Sequence, residues 1–139
     1  MKNDFIIRIY QDKDLDEVIQ LWDECGLTFP VNNPLKDIQL KTIFQPELFF
    51  VGELTERVVG TVMAGYEGHR GWINYMGVLP ELQGKGYGRL LVEHVLIVLK
   101  EMGCPKVNLQ VRETNTKVVE FYKKLGFTID PAVSMGYRF

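Results

Sequence analysis

The sequence predicts a single α/β domain in which a mixed, mostly antiparallel sheet carries helices on both faces. The first half of the chain contains short apolar segments joined by tight polar turns, which is typical of antiparallel hairpins. The second half alternates strands with amphipathic helices, and a helix that connects two strands of one sheet implies a parallel pair. A length of 139 residues with 46% hydrophobic and 24% charged content fits one domain spanning residues 1–139.

The first three elements are a strand and two helices. Residues 5–10 (FIIRIY) form a short strand. Asp12 then caps a helix whose apolar residues recur at three- and four-residue spacing, and Gly26 ends it. Asn33 caps a shorter helix that runs through about Phe44 and has a proline in its first turn.

The middle of the chain forms a hairpin and a third strand. Residues 48–54 and 58–66 are strands joined by a tight turn. The polar turn at residues 67–71 leads into a further strand over residues 72–80. A glycine-rich loop follows, and after it an apolar helix extends to about Met102.

The last part of the chain adds a strand, a helix and a tail. Residues 107–112 form the strand, and residues 115–126 form a helix that Gly126 ends. Residues 127–139 are predicted to be rich in strand, and this tail could pair within the chain or across a homodimer.

Composition excludes several classes of function. Sixteen basic and eighteen acidic residues give a net charge of −2, which lacks the basic excess of a nucleic-acid-binding protein. No segment is typical of a leader or of a membrane span, so we expect a soluble cytoplasmic protein without a membrane partner. Cys25 and Cys104 form no C-x-x-C pair and lie near no histidine cluster, so neither a disulfide framework nor a metal site is predicted.

The stretch QGKGYG (residues 83–88) lies between a strand and a helix, where free backbone N–H groups and the helix dipole favour an anion. Lys85 and Arg89 add positive charge, so the loop predicts a phosphate site. The alternative is an ordinary strand-to-helix connection with a basic surface. The loop has neither the P-loop pattern nor the dinucleotide pattern, which disfavours ATP, GTP and NAD.

Two motifs resemble those of the GNAT family of N-acetyltransferases. The string VLPELQGKGYGRLLVEHV, with Gln83, Gly86 and Gly88 as a Q-x-x-G-x-G core, is similar to the family's acetyl-CoA-binding motif. The later stretch NTKVVEFYKKLGF is similar to a second family motif, and the resemblance covers nearly the whole chain. GYEGHRG, ahead of the first motif, resembles the small bacterial YpeA-like subgroup.

The resemblance implies the GNAT acyl-CoA acyltransferase fold, with acetyl-CoA as co-substrate and no metal. Main-chain groups of the strand before the loop would bind the pantetheine arm, the loop would bind the pyrophosphate, and Tyr122 would be the general acid that protonates the CoA thiolate. The alternative for Tyr122 is simple packing against Phe121. The implied cofactor-binding residues are Met76, Val78, Gln83, Gly84, Lys85, Gly86, Tyr87, Gly88, Arg89, Asn115 and Tyr122.

The general base is unassigned. Gln110 stands where relatives that acetylate an N-terminal alanine have a glutamate, and an amide accepts a proton poorly. The weak candidates are Glu67, His69, Glu113 and Tyr75.

We therefore expect an acetyl-CoA-dependent N-acetyltransferase that acts on a primary amine of a small molecule or of a peptide or protein. Residues 27–37 and the turn at 67–71 would select the acceptor. One alternative is a non-catalytic acyl-CoA-binding or sensing domain of the same fold. Another is a general phosphate-ligand or interaction domain.

Overall fold

The computed structural model describes residues 4–139 and contains one five-stranded sheet with the strand order β1-β2-β3-β4-β5. The first four strands pair antiparallel, and β4 pairs parallel to β5. This arrangement confirms the predicted mixed, mostly antiparallel sheet. The strands are β1 (Phe5–Ile9), β2 (Phe49–Leu54), β3 (Arg57–Tyr66), β4 (Gly71–Val78) and β5 (Val107–Leu109).

Within residues 4–139, four α-helices cover the two faces of the sheet, as predicted. They are α1 (Leu15–Glu24), α2 (Pro34–Lys41), α3 (Tyr87–Glu101) and α4 (Thr116–Lys124). Side chains of α1 and α2 share one apolar core with β2 and β3. Side chains of α3 and α4 share a second core with the opposite face of β2, β3 and β4. In the described part of the chain, no helix is both long and apolar enough to cross a membrane.

The predicted cap of the first helix is wrong. Asp12 is exposed in a 3₁₀ turn that precedes α1. Asp14 takes the structural role instead, because its carboxylate, 2% exposed, accepts the Gln11 amide at 2.9 Å and the Arg8 guanidinium at 2.8 Å. A carboxylate that gains a charged partner and a backbone donor can be buried, whereas Asp12 has neither among the described residues.

The second helix has the predicted cap but a shorter length. Asn33 accepts the Lys36 amide at 3.1 Å, yet α2 ends at Lys41 rather than at Phe44. The chain must turn because Pro46 follows, and the residue before it, Gln45, has a left-handed φ of 51°.

The predicted strands after α3 are mostly absent. The strand expected over residues 107–112 is limited to β5, and residues 127–139 contain no strand. The tail is held by side-chain contacts, Lys106 to Asp130 at 2.9 Å and Gln110 to Ser134, without a backbone ladder. A strand-like pattern alone does not give a strand when no neighbouring backbone pairs with it.

The sheet opens next to the glycine-rich loop. β4 pairs with β5 only along Gly71 to Ile73, so from Asn74 to Val78 the described chain provides no strand on that side. In the same region Thr61 of β3 lies opposite Gly77, and Met63 lies opposite Asn74. Two residues of β4 therefore oppose one residue of β3, which is a β-bulge.

Candidate active site

The open edge of β4 displays main-chain groups toward the gap between β4 and β5. The Leu79 amide donates to the Val59 carbonyl at 2.9 Å, which fixes the residues of β4 that bond to β3. Strand alternation then directs the main-chain groups of Val78 and Met76 away from β3. The Val78 carbonyl accepts the Gln83 side-chain amide at 3.0 Å and the Cys25 thiol at 3.2 Å, so Gln83 ties the loop to the strand end and the N–H of Val78 is the group left for a ligand. An extended ligand can pair with this edge as an added strand.

The glycine-rich loop presents a series of free amides. Gly84 and Gly86 have φ values of +80° and +92°, which glycine adopts without strain, and α3 begins at Tyr87. Counting from the start of α3, the first amide with a backbone acceptor is that of Leu90, which donates to the Gly86 carbonyl at 3.2 Å. In residues 4–139 no acceptor engages the amides from Gly84 to Arg89. Free amides at a helix N-terminus, together with the helix dipole, can hold an anion.

The space over the loop suits a bulky anion. A Cβ built on Gly84 meets no atom within 4 Å, so a ligand can approach the backbone there. Lys85 is exposed and carries its charge beside the loop. Arg89 is exposed as well and pairs with Glu93 at 3.2 Å.

Two other loop residues serve packing with their side chains. The ring of Tyr87 is 6% exposed and lies 4.7 Å from that of Phe5, so only its main chain is available to a ligand. A Cβ on Gly88 would lie 3.4 Å from the ring of Phe121. The ring of Phe121 on α4 therefore packs beside the backbone at the start of α3.

Tyr122 is the next residue of α4 after Phe121, and it has a packed ring and an unbonded hydroxyl. Its ring is 7% exposed and makes edge contacts with Phe121 at 5.0 Å and Phe127 at 5.3 Å. No hydrogen bond joins its hydroxyl to another group of residues 4–139. Burial raises the pKa of the phenol, which keeps it protonated at neutral pH. Asn115 caps α4 by accepting the Val118 amide at 3.4 Å.

Two candidate bases lie far from the open edge. Glu67 and His69 are exposed in the β3–β4 turn, which precedes Gly71 at the start of β4. From Gly71 to Met76 the strand spans about 17 Å at ~3.3 Å per residue. The Glu67 carboxylate accepts the amides of Arg70 and His69, and these bonds lower its pKa. This carboxylate stabilises the turn.

Neither the position of the relatives' glutamate nor the remaining acidic candidate places a base at the open edge. Gln110 lies beyond the end of β5, and its side-chain amide contacts Ser134. Glu113 is exposed in the connection before α4. The general base stays unassigned.

Tyr75 lies in a polar cluster at the bulge that the sequence did not reveal. Its φ is 49°, a left-handed value that is rare for a bulky residue. Its ring stacks on Trp22 at 3.7 Å, and its hydroxyl donates to Asp37 at 2.5 Å. The Trp22 indole N–H donates to the Thr61 hydroxyl at 2.9 Å, which donates to the Tyr75 carbonyl at 2.8 Å. Burial and the Asp37 carboxylate both raise the pKa of Tyr75.

Comparison with known proteins assigns the family. The sequence profile of the Acetyltransferase (GNAT) family matches residues 15–127. The chain belongs to this family. An acetyltransferase of Yersinia enterocolitica is 42% identical over 132 residues, which cover 95% of this chain and 94% of that protein. The resemblance drawn from the two motifs is therefore confirmed at the level of the family.

Solved structures share the GNAT fold. Ard1 from Thermoplasma volcanium has a TM-score of 0.82 and 26% identity, covering 91% of this chain and 84% of that one. AAC(6')-Iy in complex with the bisubstrate analogue CoA-S-monomethyl-acetylneamine has a TM-score of 0.77 and 18% identity, covering 97% of both chains. The predicted fold class is confirmed, and the chain is a GNAT-type acetyltransferase.

Proposed function

We propose that this acetyltransferase transfers the acetyl group of acetyl-CoA directly to a primary amine within a ternary complex. The observation that carries the proposal is the open edge of β4 leading into the free amides from Gly84 to Arg89. An extended thioester arm fits the first feature, and a pyrophosphate fits the second. A CoA-based bisubstrate analogue bound to AAC(6')-Iy, which has the same fold, supports the choice of ligand.

The binding roles follow from the positions of these groups. The main chain of Met76 and Val78 would pair with the pantetheine arm. The loop amides and Lys85 would hold the pyrophosphate. Asn115 lies at the start of α4, where its side-chain nitrogen is available to the cofactor while its oxygen caps the helix.

The proposed chemistry needs few side chains. The amine nitrogen attacks the thioester carbonyl, the C–N bond forms and the C–S bond breaks. Main-chain N–H groups at the bulge would stabilise the developing oxyanion, and such a donor contributes ~3–4 kcal/mol. Tyr122 would give its proton to the departing thiolate, and the proton released by the amine passes to water or to a base still to be assigned.

The acceptor is a small amine or the amino end of a peptide. Residues 27–37 comprise most of the α1–α2 connection and the first turn of α2, on the face that bears Tyr75, which supports their predicted part in acceptor selection. The turn at residues 67–71 lies at the other end of β4, which makes it the weaker of the two predicted segments.

Two measurements on the purified chain test the proposal. Acetyl-CoA and CoA should raise the melting temperature, whereas ATP and NAD should not, because a ligand of the native state stabilises it by mass action. A panel of small amines and of peptides with free amino termini should then release thiol from acetyl-CoA. Stabilisation by ATP or NAD alone would contradict the choice of acetyl-CoA as the ligand. Binding of acetyl-CoA without turnover on any acceptor would favour the sensing alternative.

A further inference from the structure

Asp37 presents a half-buried carboxylate beside the bulge of β4. The Tyr75 hydroxyl donates to its Oδ2 atom at 2.5 Å, and in residues 4–139 no group bonds to its Oδ1 atom. The Tyr75 ring stacks on Trp22 at 3.7 Å with an interplanar angle of 8°, and this contact fixes the direction of its hydroxyl. One oxygen of the carboxylate is therefore held, and the other is available.

The charge of Asp37 has no partner in the described chain. No lysine, arginine or histidine nitrogen lies within 4.0 Å of its carboxylate. Lys41 is four residues later on α2, the usual position for an ion pair on a helix. Its ammonium points into the sheet instead and donates to the Ala64 carbonyl at 2.5 Å. A partly exposed carboxylate that has one oxygen unbonded and no cation beside it in the described chain can bind a cationic ligand.

The location of this carboxylate matches the acceptor side of the proposed reaction. Tyr75 directly precedes Met76, whose main chain would line the thioester arm. Tyr75 and α2 belong to the core around α1, on the face of the sheet opposite α3 and α4. An amine that binds Asp37 would thus approach the bulge from the face that the CoA loop leaves free.

We propose that Asp37 binds the amino group of the acceptor as a specificity-determining residue and that Tyr75 positions its carboxylate. This inference rests on the proposed acetyl transfer to an amine. It implies that the acceptor is a primary amine that arrives as the ammonium ion and is then deprotonated before attack. It also accounts for a left-handed tyrosine in a strand, since the bulge aims the hydroxyl at α2.

Steady-state kinetics on four variants test the inference, with the amine of highest kcat/KM in the panel as acceptor. Asp37→Asn should raise KM for this amine at least about tenfold, as expected for a lost hydrogen bond to a charged group. Tyr75→Phe, which keeps the ring, should raise KM by a smaller factor. Asp16→Asn makes the same chemical change at an exposed site of α1 and should leave KM within about twofold. Asp37→Glu keeps the charge and should restore part of the affinity.

A charge-free competitor separates recognition from structure. In the wild type, the hydroxyl analogue of the same acceptor should bind, as a competitive inhibitor, much more weakly than the amine. In the Asp37→Asn variant, the preference for the amine over the hydroxyl analogue should be lost. Acetyl-CoA affinity, measured by titration calorimetry, should be the same for all variants. If the wild type acetylates the amine but Asp37→Asn has the KM of Asp16→Asn, the carboxylate only joins α2 to β4 and the inference is wrong. If the wild type acetylates no amine, the proposed function fails, and the inference fails with it.

Discussion

Thr61→Val should destabilise the protein by removing the hydroxyl at the centre of the bulge. Thr61 and Trp22 are both 0% exposed, and the hydroxyl of Thr61 accepts the indole N–H at 2.9 Å and donates to the Tyr75 carbonyl at 2.8 Å. Valine has nearly the same shape, so the change creates no cavity. The substitution leaves two groups without their hydrogen bonds to this hydroxyl. The buried indole N–H should cost about 1–3 kcal/mol, and the Tyr75 carbonyl about 1 kcal/mol.

The sum predicts a loss of roughly 2–4 kcal/mol in the free energy of unfolding. Urea denaturation followed by far-UV circular dichroism measures it, and the midpoint should fall by about 1–2 M at an unchanged m value. Thr61→Ser keeps the hydroxyl and should lose only about 1 kcal/mol for the missing methyl group.

Thr42→Val provides the matched control for this prediction. It removes an exposed hydroxyl that bonds to the Gln39 carbonyl at 2.6 Å, and its effect should stay within about 0.5 kcal/mol. If Thr61→Val is no more destabilising than Thr42→Val, the hydroxyl does not hold the bulge, and the assignment of the Tyr75 conformation to this network is refuted.

Three further predictions concern the acid, the loop and a buried ion pair. Tyr122→Phe should lower kcat at least about tenfold and leave acetyl-CoA affinity unchanged, in single-turnover and binding assays; an unchanged kcat would remove Tyr122 as the acid. Gly86→Ala should weaken acetyl-CoA binding and cost about 1–2 kcal/mol of stability because of its φ of +92°, whereas Gly136→Ala, exposed in the tail, should do neither. Burial of Asp14 acts to raise its pKa, but the bonds from Arg8 and Gln11 and the neighbouring positive charges together outweigh burial, and the net pKa is lowered. Stability from this pair is therefore present above the unfolded aspartate pKa of about 4 and lost as pH falls through the lower folded value. The urea midpoints of the wild type and Asp14→Asn should differ at pH 7 and converge on acidification, and a constant difference would contradict this assignment.

The elements that the sequence predicted well are those in which local pattern and tertiary packing agree. The helix after the glycine loop extends to Glu101, one residue short of the predicted Met102, because its apolar face and the core match along its length. The strands β2, β3 and β4 before it pair antiparallel through tight turns, as the predicted hairpins require.

The tail shows where pattern alone is insufficient. Residues 133–139 alternate apolar and polar side chains as a strand does, yet Val133, Met135, Tyr137 and Phe139 are exposed. A strand depends on a partner backbone, which no local pattern contains. The misplaced cap at Asp12 has the same origin, because the ion pair of Asp14 with Arg8 comes from tertiary structure.

The candidate site divides in the same way. The loop could be predicted because its function depends on consecutive residues, and the relation of the loop to α4 could be inferred from a second motif. The contact between Asp37 and Tyr75 joins residues 38 positions apart and depends on a left-handed tyrosine. Neither feature leaves a signal in one sequence, because the bulge that produces them depends on the register between β3 and β4.

Backbone-amide hydrogen exchange with and without acetyl-CoA tests the central claim most directly, because it reports on the amides that are proposed to bind the cofactor. The amides from Gly84 to Arg89, which lack acceptors in the described chain, and that of Val78, which strand alternation directs away from β3, should exchange markedly more slowly when acetyl-CoA is bound. Amides of the turn at residues 67–71 should be unaffected and serve as the internal reference. The account would be contradicted if saturating acetyl-CoA slowed exchange elsewhere but left the exchange rates of the amides from Gly84 to Arg89 unchanged.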